Sequence, residues 1–274
     1  MSEPRPLLRV LLCGALLALP VGCASRAPEP KPGALTRIVH SGAIRVGTSG
    51  EQPPLTMVAK NGELLGLDVA LARVLAQSMG VKAEFVQMPF GELLDAVEAH
   101  KLDIAMSGIT ITPERSRRVS FVGPYFTSGK AVLTKSKKIA EARVPQDLDS
   151  PDLRFAALKG STSEEFVRQS LSSAKLVLSE RLEDAIQAVL KGEVDALVAD
   201  RETCDFAVLR HPRRGLIAPS VTFTVEPMGI AVAQDEPRLT NLIQTYLTAL
   251  SDGGTLEKAR AFWFKDPSWV KDLR

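Results

Sequence analysis

The segment AMSGITITPER, residues 105–115, carries a glycine, three hydroxyl side chains and an arginine directly after an apolar run. Gly108 allows a ligand to approach backbone N–H groups closely, Thr110 adds a hydroxyl, and Arg115 adds a planar guanidinium with several donors. These are the donors that bind a carboxylate. Charged residues directly beside Arg115 are equally typical of a solvated surface, so the spacing alone leaves both interpretations open.

A carboxylate later in the chain could complement that arginine. Asp200 ends the apolar run ALVA and precedes Arg201, so it could either cap a helix or receive an ammonium group. A cation at Arg115 and an anion at Asp200 would suit a zwitterion held between them, because each buried charge is compensated by the ligand. Phe90 is either a core residue or an apolar wall of the same site.

Helical and strand patterns alternate from Leu35 onward, which predicts an α/β fold with mostly parallel strands. In the first half, the predicted strands are 43–49, 83–89 and 102–108, and the predicted helices are 66–80 and 91–101. A similar series follows, with strand and helix patterns in 154–166, 182–200, 228–237 and 239–264. Residues 206–215 are predicted to form a surface loop. The repeated scheme predicts two lobes of similar build, with ligands beyond the carboxyl ends of the strands.

The composition excludes several classes of function. The chain has 274 residues, of which 45% are hydrophobic and 24% charged, as in ordinary globular proteins. The net charge of +2 is spread along the chain without a basic stripe, so no nucleic-acid partner is expected. His40, His100 and His211 lack the spacing of metal ligands, so neither a metal site nor another cofactor is expected.

The N-terminus has the pattern of an export signal. Two arginines precede the apolar stretch 10–19, which predicts a signal peptide over residues 1–22. Cys23 follows Gly22 as in a bacterial lipoprotein cleavage site, which predicts a lipidated cysteine; plain secretion is the alternative. Residues 23–34, rich in proline and small residues, would then be a tether. Cys204 would remain alone in the mature chain, so no internal disulfide is expected.

Five segments in order carry a family resemblance: GLDVALARVLA, SGITITPERSRRVSFVGPYF, LKGSTSEEF, GEVDALVAD and GGTLEKARAFWF. With them the chain resembles the extracytoplasmic solute-binding proteins of ABC importers, specifically the polar amino acid family, bacterial solute-binding protein family 3. The resemblance implies a two-lobed periplasmic-binding-protein fold in which each lobe is a mostly parallel sheet flanked by helices. Lobe 1 would comprise residues 35–127 and 228–274, and lobe 2 residues 128–227. A two-strand hinge would lie near 127–131 and 223–228.

The resemblance also implies roles for individual residues. The Gly108 backbone, Thr110 and Arg115 would bind the α-carboxylate of an amino acid together with Thr162 from lobe 2. Asp200 would pair with the α-ammonium group. The remaining implied ligand-binding residues are Phe90 as an aromatic wall and Ser49 and Gln52 at the side-chain end.

The implied function is binding without catalysis. A free amino acid would close the two lobes, and an ABC permease in the membrane would read the closed form. The protein is expected to be a monomer on the extracytoplasmic side of the cell envelope, anchored through Cys23. One alternative is an enzyme similar to cyclohexadienyl or arogenate dehydratase, although the position of that family's catalytic glutamate holds Thr203 here, with Glu202 beside it. A sensory amino-acid-binding domain is the other alternative.

Overall fold

The computed structural model of the protein describes Met1 and residues 32–272. The predicted signal peptide after Met1, the lipidation site Cys23 and the tether up to residue 31 therefore lie outside the described residues. Among the described helices, none is both long enough and apolar enough to cross a bilayer.

The described part of the chain alternates helices and strands along its length. The helices are α1 Ala34–Ser41, α2 Leu67–Ser78, α3 Leu93–Glu98, α4 Lys137–Ala140, α5 Thr162–Ser170, α6 Leu182–Lys191, α7 Arg201–Arg210, α8 Pro237–Asp252 and α9 Thr255–Lys265. The strands are β1 Ala43–Thr48, β2 Glu51–Gln52, β3 Thr56–Val58, β4 Leu64–Leu65, β5 Lys82–Gln87, β6 Ile104–Ala105, β7 Val119–Ser128, β8 Lys130–Thr134, β9 Arg154–Leu158, β10 Lys175–Ser179, β11 Ala196–Asp200 and β12 Glu226–Ala233. Short 3₁₀ helices span Phe90–Glu92, Arg115–Arg117, Pro145–Asp147 and Pro267–Asp272.

Two separate sheets form the centres of two lobes. The first has the order β5-β1-β6-β12-β7, in which β1, β5 and β6 are parallel and β12 runs antiparallel to both of its neighbours. The second has the order β10-β9-β11-β8, in which only β8 is antiparallel. Helices α2, α3 and α8 pack on the first sheet, and α5, α6 and α7 pack on the second. The predicted two-lobed α/β fold with mostly parallel sheets is confirmed.

Each sheet is buried because both of its faces carry apolar side chains, as the near-continuous hydrophobic runs of β9 and β11 indicate. One apolar cluster lies on each face of each sheet. Cys204 on α7 is fully buried in one of these clusters, and burial raises the pKa of its thiol well above the usual range.

The chain passes between the sheets twice, at adjacent positions. Gly129 joins β7 to β8, and β12 returns to the first sheet with Glu226 paired to Ser128 in the ladder. The two crossing segments are thus hydrogen-bonded neighbours, which is the predicted two-strand hinge. The exact lobe boundaries, 127/128 and 227/228, stay a prediction.

Behind the hinge lies a cavity of about 660 Å³ between α7 and α9. Its wall includes Trp269 of the last 3₁₀ helix, whose ring stacks on Phe206 of α7 with the centroids 5.6 Å apart. Trp263 of α9 packs beside Trp269 at 5.5 Å. The end of the described chain therefore contacts a helix of the other lobe.

Three predicted elements differ from the structure. The predicted helix 91–101 is a 3₁₀ turn followed by the shorter α3, which ends before His100 because that residue adopts a positive φ of 54°. The predicted strand 102–108 pairs only at Ile104–Ala105, because the chain turns away at Gly108. The predicted surface loop 206–215 is wrong in its first half, since α7 continues through Arg210 and Phe206 is buried.

Candidate functional site

A cavity lies between the two sheets, where the carboxyl ends of β9 and β11 face the loop after β6. Its lining residues are Gln52, Phe90, Gly108, Thr110, Lys130, Leu158, Ser161, Thr162, Ser163, Leu182, Val198, Ala199, Asp200 and Thr203. The list contains six of the eight predicted ligand-binding residues, all except Ser49 and Arg115. The cavity measures about 20 Å³, which is room for about one water molecule.

Gly108 has the left-handed φ of 62° that only glycine adopts easily. A Cβ at this position would lie 2.8 Å from the side chains of both Gln52 and Leu55. Its backbone N–H donates to a carboxylate oxygen of Asp68 at 2.7 Å. The N–H therefore has a buried internal acceptor in this structure, and the implied role of the Gly108 backbone in binding a ligand carboxylate stays a prediction.

The N-terminus of α5 supplies donors from the second lobe. Ser161 is the N-cap, and its hydroxyl accepts from the N–H of Glu164 at 3.3 Å. The first N–H groups of a helix have no acceptor within the helix, so those of Thr162 and Ser163 are suited to bind an anion. The Thr162 hydroxyl lies 3.4 Å from that of Thr110 across the cleft. Hydroxyls from both lobes therefore meet at one end of the cavity.

Arg115 lies in the cleft but outside the lining of that cavity. It is 7% exposed, and its guanidinium donates to the carbonyl of Thr110 at 3.0 Å and, across the cleft, to that of Gly160 at 3.1 Å. The guanidinium carbon lies 5.8 Å from the centre of the Phe90 ring. Burial lowers the pKa of Arg115, and nearby carboxylates, including Glu165, oppose this effect. The side chain remains charged and bridges the two lobes.

Phe90 lies between Arg115 and the cavity between the two sheets. The ring is 8% exposed and shares an apolar cluster with Leu158 of the second lobe. It thus acts both as a core residue and as a wall of the cleft. Ser49, by contrast, does not line the cavity, because its hydroxyl is hydrogen-bonded to that of Ser107 at 2.8 Å.

Asp200 has a partner that the sequence analysis did not identify. Its carboxylate lies 2.5 Å from the Nζ of Lys130, and the two residues are opposite each other in the β8–β11 ladder. The same Nζ lies 3.4 Å from a carboxylate oxygen of Glu226. Although Asp200 occupies the N-cap position of α7, its side chain makes no capping hydrogen bond. Asp200, which was predicted to pair with the α-ammonium group of a ligand, therefore belongs to a buried triad with Lys130 and Glu226.

Glu226 belongs to the same polar network. Its carboxylate accepts hydrogen bonds from the hydroxyls of Thr162 at 3.0 Å and Thr224 at 2.7 Å. Burial raises the pKa of Glu226, but the charge of Lys130 and hydrogen bonds from Thr224, Thr110 and Thr162 outweigh that effect and hold the pKa below its usual value. Glu226 is therefore ionised at neutral pH.

Lys130 and Glu226 were missed because both lie in segments assigned only to the hinge. A signal was present in the sequence, since Lys130 begins the apolar run AVLT and Glu226 precedes another apolar run. A charged residue at the edge of a fully buried strand is rare unless it is paired. The partners could not be identified, because the strand register that brings Lys130 to Asp200 is a tertiary feature.

The sequence pattern of the family described as bacterial extracellular solute-binding proteins, family 3, matches residues 44–266. The chain belongs to this family. The match spans both lobes and both crossings of the hinge.

Several relatives are similar to this chain over most of their length. Cyclohexadienyl dehydratase of Pseudomonas aeruginosa is 28% identical over 261 residues, which is 95% of each chain. ABC transporter arginine-binding protein 1 of Escherichia coli is 27% identical over 224 residues, 81% of this chain and 90% of the relative. The crystal structure of AncCDT-1, described as an ancestral amino acid-binding protein and a precursor of cyclohexadienyl dehydratase, is 35% identical with a TM-score of 0.78 and covers 84% of this chain and 99% of its own.

Gly160 is expected to be essential for lobe closure in this family 3 protein. It has a φ of 73°, and a Cβ there would lie 2.8 Å from the Cα of Gly91 in the opposite lobe. We expect Gly160→Ala to weaken the binding of a ligand held between the lobes at least about tenfold, a loss of about 1.4 kcal/mol. Gly91→Ala is the matched control, because its Cβ would meet only ordinary contacts at 3.5 and 3.8 Å. Calorimetric titration that finds equal affinities for the two variants would contradict this role.

Asp68 is expected to make the stability of the protein fall as pH rises. Burial raises the pKa of this carboxyl from 3.8 to about 7, and the hydrogen bond from the Gly108 N–H only partly opposes the rise. Between about pH 4 and 7 the unfolded chain loses the Asp68 proton while the folded protein keeps it. The contribution of Asp68 to the free energy of unfolding therefore falls over this range, and it levels off at higher pH.

Asp68→Asn should remove that contribution, because an amide oxygen can still accept from Gly108 but does not titrate. The measurement is the free energy of unfolding in urea at pH 5 and pH 7.5 for both proteins. We expect the variant to gain stability relative to wild type at the higher pH. If variant and wild type differ in their free energy of unfolding by the same amount at both pH values, the raised pKa of Asp68 is contradicted.

Proposed function

We propose that this protein binds a free amino acid between its two lobes and presents it to an ABC-type permease for import. The observation that carries the proposal is the cavity itself, in which donors from both lobes meet buried charges of both signs. Thr110, Thr162 and the first turn of α5 suit an α-carboxylate, and Asp200, with Glu226 beside the lining, suits an α-ammonium group. Arg115 closes the cleft beside the carboxylate end.

Ligand entry requires the lobes to separate. The cavity of about 20 Å³ cannot admit an amino acid while Arg115 contacts Gly160 and Thr162 lies against Thr110. The two adjacent crossings at Gly129 and Glu226 can bend without breaking either sheet. A ligand that contacts both lobes favours the closed form by its additional contacts there, and the closed form is what a permease would recognise.

A thermal-shift screen of the twenty amino acids tests the proposal, followed by calorimetry on those that stabilise the protein. At least one amino acid should raise the melting temperature and bind with a Kd in the micromolar range or below, or roughly 8 kcal/mol of binding free energy. The deaminated analogue of that amino acid should bind far more weakly. The absence of any stabilising amino acid would refute the proposal.

The dehydratase relative raises a second candidate, which the cleft chemistry disfavours. Such a reaction needs a general acid to protonate its leaving group. The relevant position holds Thr203, whose hydroxyl donates to the carbonyl of Pro53 at 3.3 Å. Burial raises the pKa of Glu202, but that carboxylate accepts from the Ser128 hydroxyl and lines the cavity behind the hinge instead.

Glu226 does lie beside the cleft, but it is ionised and a poor proton donor. We therefore propose that the protein is not an enzyme. Incubation with prephenate and with arogenate should give no phenylpyruvate or phenylalanine above the rate in buffer. Turnover by the wild-type protein that is lost in Thr203→Val would establish the enzyme instead.

The location of the protein is also a proposal. We infer that it is exported and anchored on the extracytoplasmic side of the membrane through a lipid on Cys23, and that it acts as a monomer. Cys23→Ser should release the protein from the membrane fraction. Neighbouring permease and ATPase genes would support import, whereas a neighbouring histidine-kinase gene would support a sensory role.

A further inference from the structure

The buried charges of the cleft sum to zero. In the described part of the chain, six charged residues are buried, and four of them lie in or beside the cleft: Arg115, Lys130, Asp200 and Glu226. The other two are Asp68 and Asp103, of which Asp103 pairs with Arg37 and Arg45 away from the cleft. Lys130 and Asp200 line the cavity, and Arg115 and Glu226 lie directly beside it, so two cations and two anions are buried around the proposed ligand site.

Lys130 produces this balance. Its side chain is 2% exposed, and its Nζ contacts Asp200 at 2.5 Å and Glu226 at 3.4 Å. Without that ammonium group, the site would hold the two carboxylates of Asp200 and Glu226 and only one cation, Arg115, and its net charge would be −1. The pair of carboxylates would then match a ligand with two cationic groups and one carboxylate.

Other ionisable groups near the cleft do not change this sum. Glu114 is exposed and Glu165 is half-buried beside Arg115, so solvent screens both of them more strongly than the four buried groups. Asp68 lies beneath Gly108, where burial raises its pKa to about 7, and at pH 6 its carboxyl is mostly neutral. Measurements at pH 6 therefore report the balance of the four buried charges.

Burying a ligand with a net charge in a balanced site leaves one charge uncompensated, which is costly in a desolvated cleft. We propose that the ligand is an amino acid with no net charge, and that Lys130 is the residue that selects against cationic amino acids. This inference rests on the proposed function and specifies its ligand class. The lining adds Leu158, Leu182 and Val198 as apolar walls, with Gln52 and Thr203 as polar ones, which suits an uncharged side chain. The ligand of this protein would then differ in net charge from arginine, which the relative from E. coli is named for binding.

The experiment measures Kd values at pH 6 by calorimetry for glutamine, serine, leucine, phenylalanine, arginine, lysine and glutamate. Wild-type protein should bind one of the four uncharged amino acids at least about tenfold more tightly than arginine, lysine or glutamate. Lys130→Met should shift the ratio of affinities toward arginine or lysine by at least about tenfold. Lys130→Arg keeps the charge and should keep the preference.

The double variant Lys130→Met with Glu226→Gln restores the charge balance without the lysine. It should again bind the uncharged amino acid most tightly. This result would show that the charge of Lys130, and not the shape of its side chain, determines the preference. Tightest binding of arginine, lysine or glutamate by wild-type protein would overturn the inference while leaving the proposed function intact. Binding of none of the twenty amino acids in the thermal-shift screen would overturn both. The wild-type ranking decides the question even where Lys130→Met fails to fold.

Discussion

Replacement of Arg115 by alanine is expected to weaken amino-acid binding at least about a hundredfold, a loss of about 2.7 kcal/mol. The guanidinium contacts Thr110 of one lobe and Gly160 of the other, so its loss removes a contact made only in the closed form. It also removes a buried positive charge beside Thr110, at the proposed carboxylate end. Calorimetric titration with the tightest-binding amino acid gives the affinity directly.

Two further variants separate these effects. Arg117→Ala removes an exposed arginine on the same short 3₁₀ helix and should leave the affinity unchanged. Arg115→Lys keeps the charge but cannot reach both carbonyls with one planar group, so its affinity should fall between those of wild type and Arg115→Ala. Near-wild-type binding by Arg115→Ala would remove this residue from the site.

The second large effect is expected for Asp200→Asn, which should destabilise the folded protein as well as weaken binding. Lys130 is 2% exposed and would keep only the more distant carboxylate of Glu226. Removing one partner of a buried ion pair typically costs several kcal/mol, and we expect roughly 2–4 kcal/mol here. Urea unfolding gives that number, and calorimetry should show a reduced preference for the amino acid over its deaminated analogue.

Glu180→Gln provides the matched control for stability. Glu180 pairs with Lys159 at 2.6 Å, but both side chains are more than half exposed. Solvent screens such surface pairs and they contribute little to stability, so the control variant should unfold almost as wild type does. A loss of stability no larger in Asp200→Asn than in Glu180→Gln would show that the buried pair does not stabilise the fold.

The fold was predictable because its signals are local. The apolar periodicity of α2 and the continuous apolar runs of β9 and β11 follow from neighbours in the sequence. Their repetition in both halves indicated two lobes of the same build. The deviations occur where tertiary context determines the backbone, as at Gly108, whose turn depends on a hydrogen bond to Asp68.

The site was only partly predictable, for the same reason. Strand ends indicated Thr110 and Asp200, because the carboxyl ends of parallel strands meet at one edge of a sheet, whereas Thr162 was implied by the family resemblance. The partner of Asp200 depends on the β8–β11 register, and no local pattern encodes that register. The family resemblance identified Arg115 as a ligand contact, whereas the structure shows it contacting carbonyls of both lobes.

The aromatic contact behind the hinge gives the protein an intrinsic optical reporter. Its two tryptophans, Trp263 and Trp269, lie together in the wall of the cavity between α7 and α9, with Trp269 stacked on a ring of the other lobe. Any rotation of one lobe against the other changes the surroundings of that indole. We therefore expect the emission spectra of unlabelled protein to follow opening and closing, and stopped-flow mixing would measure the rates of both steps.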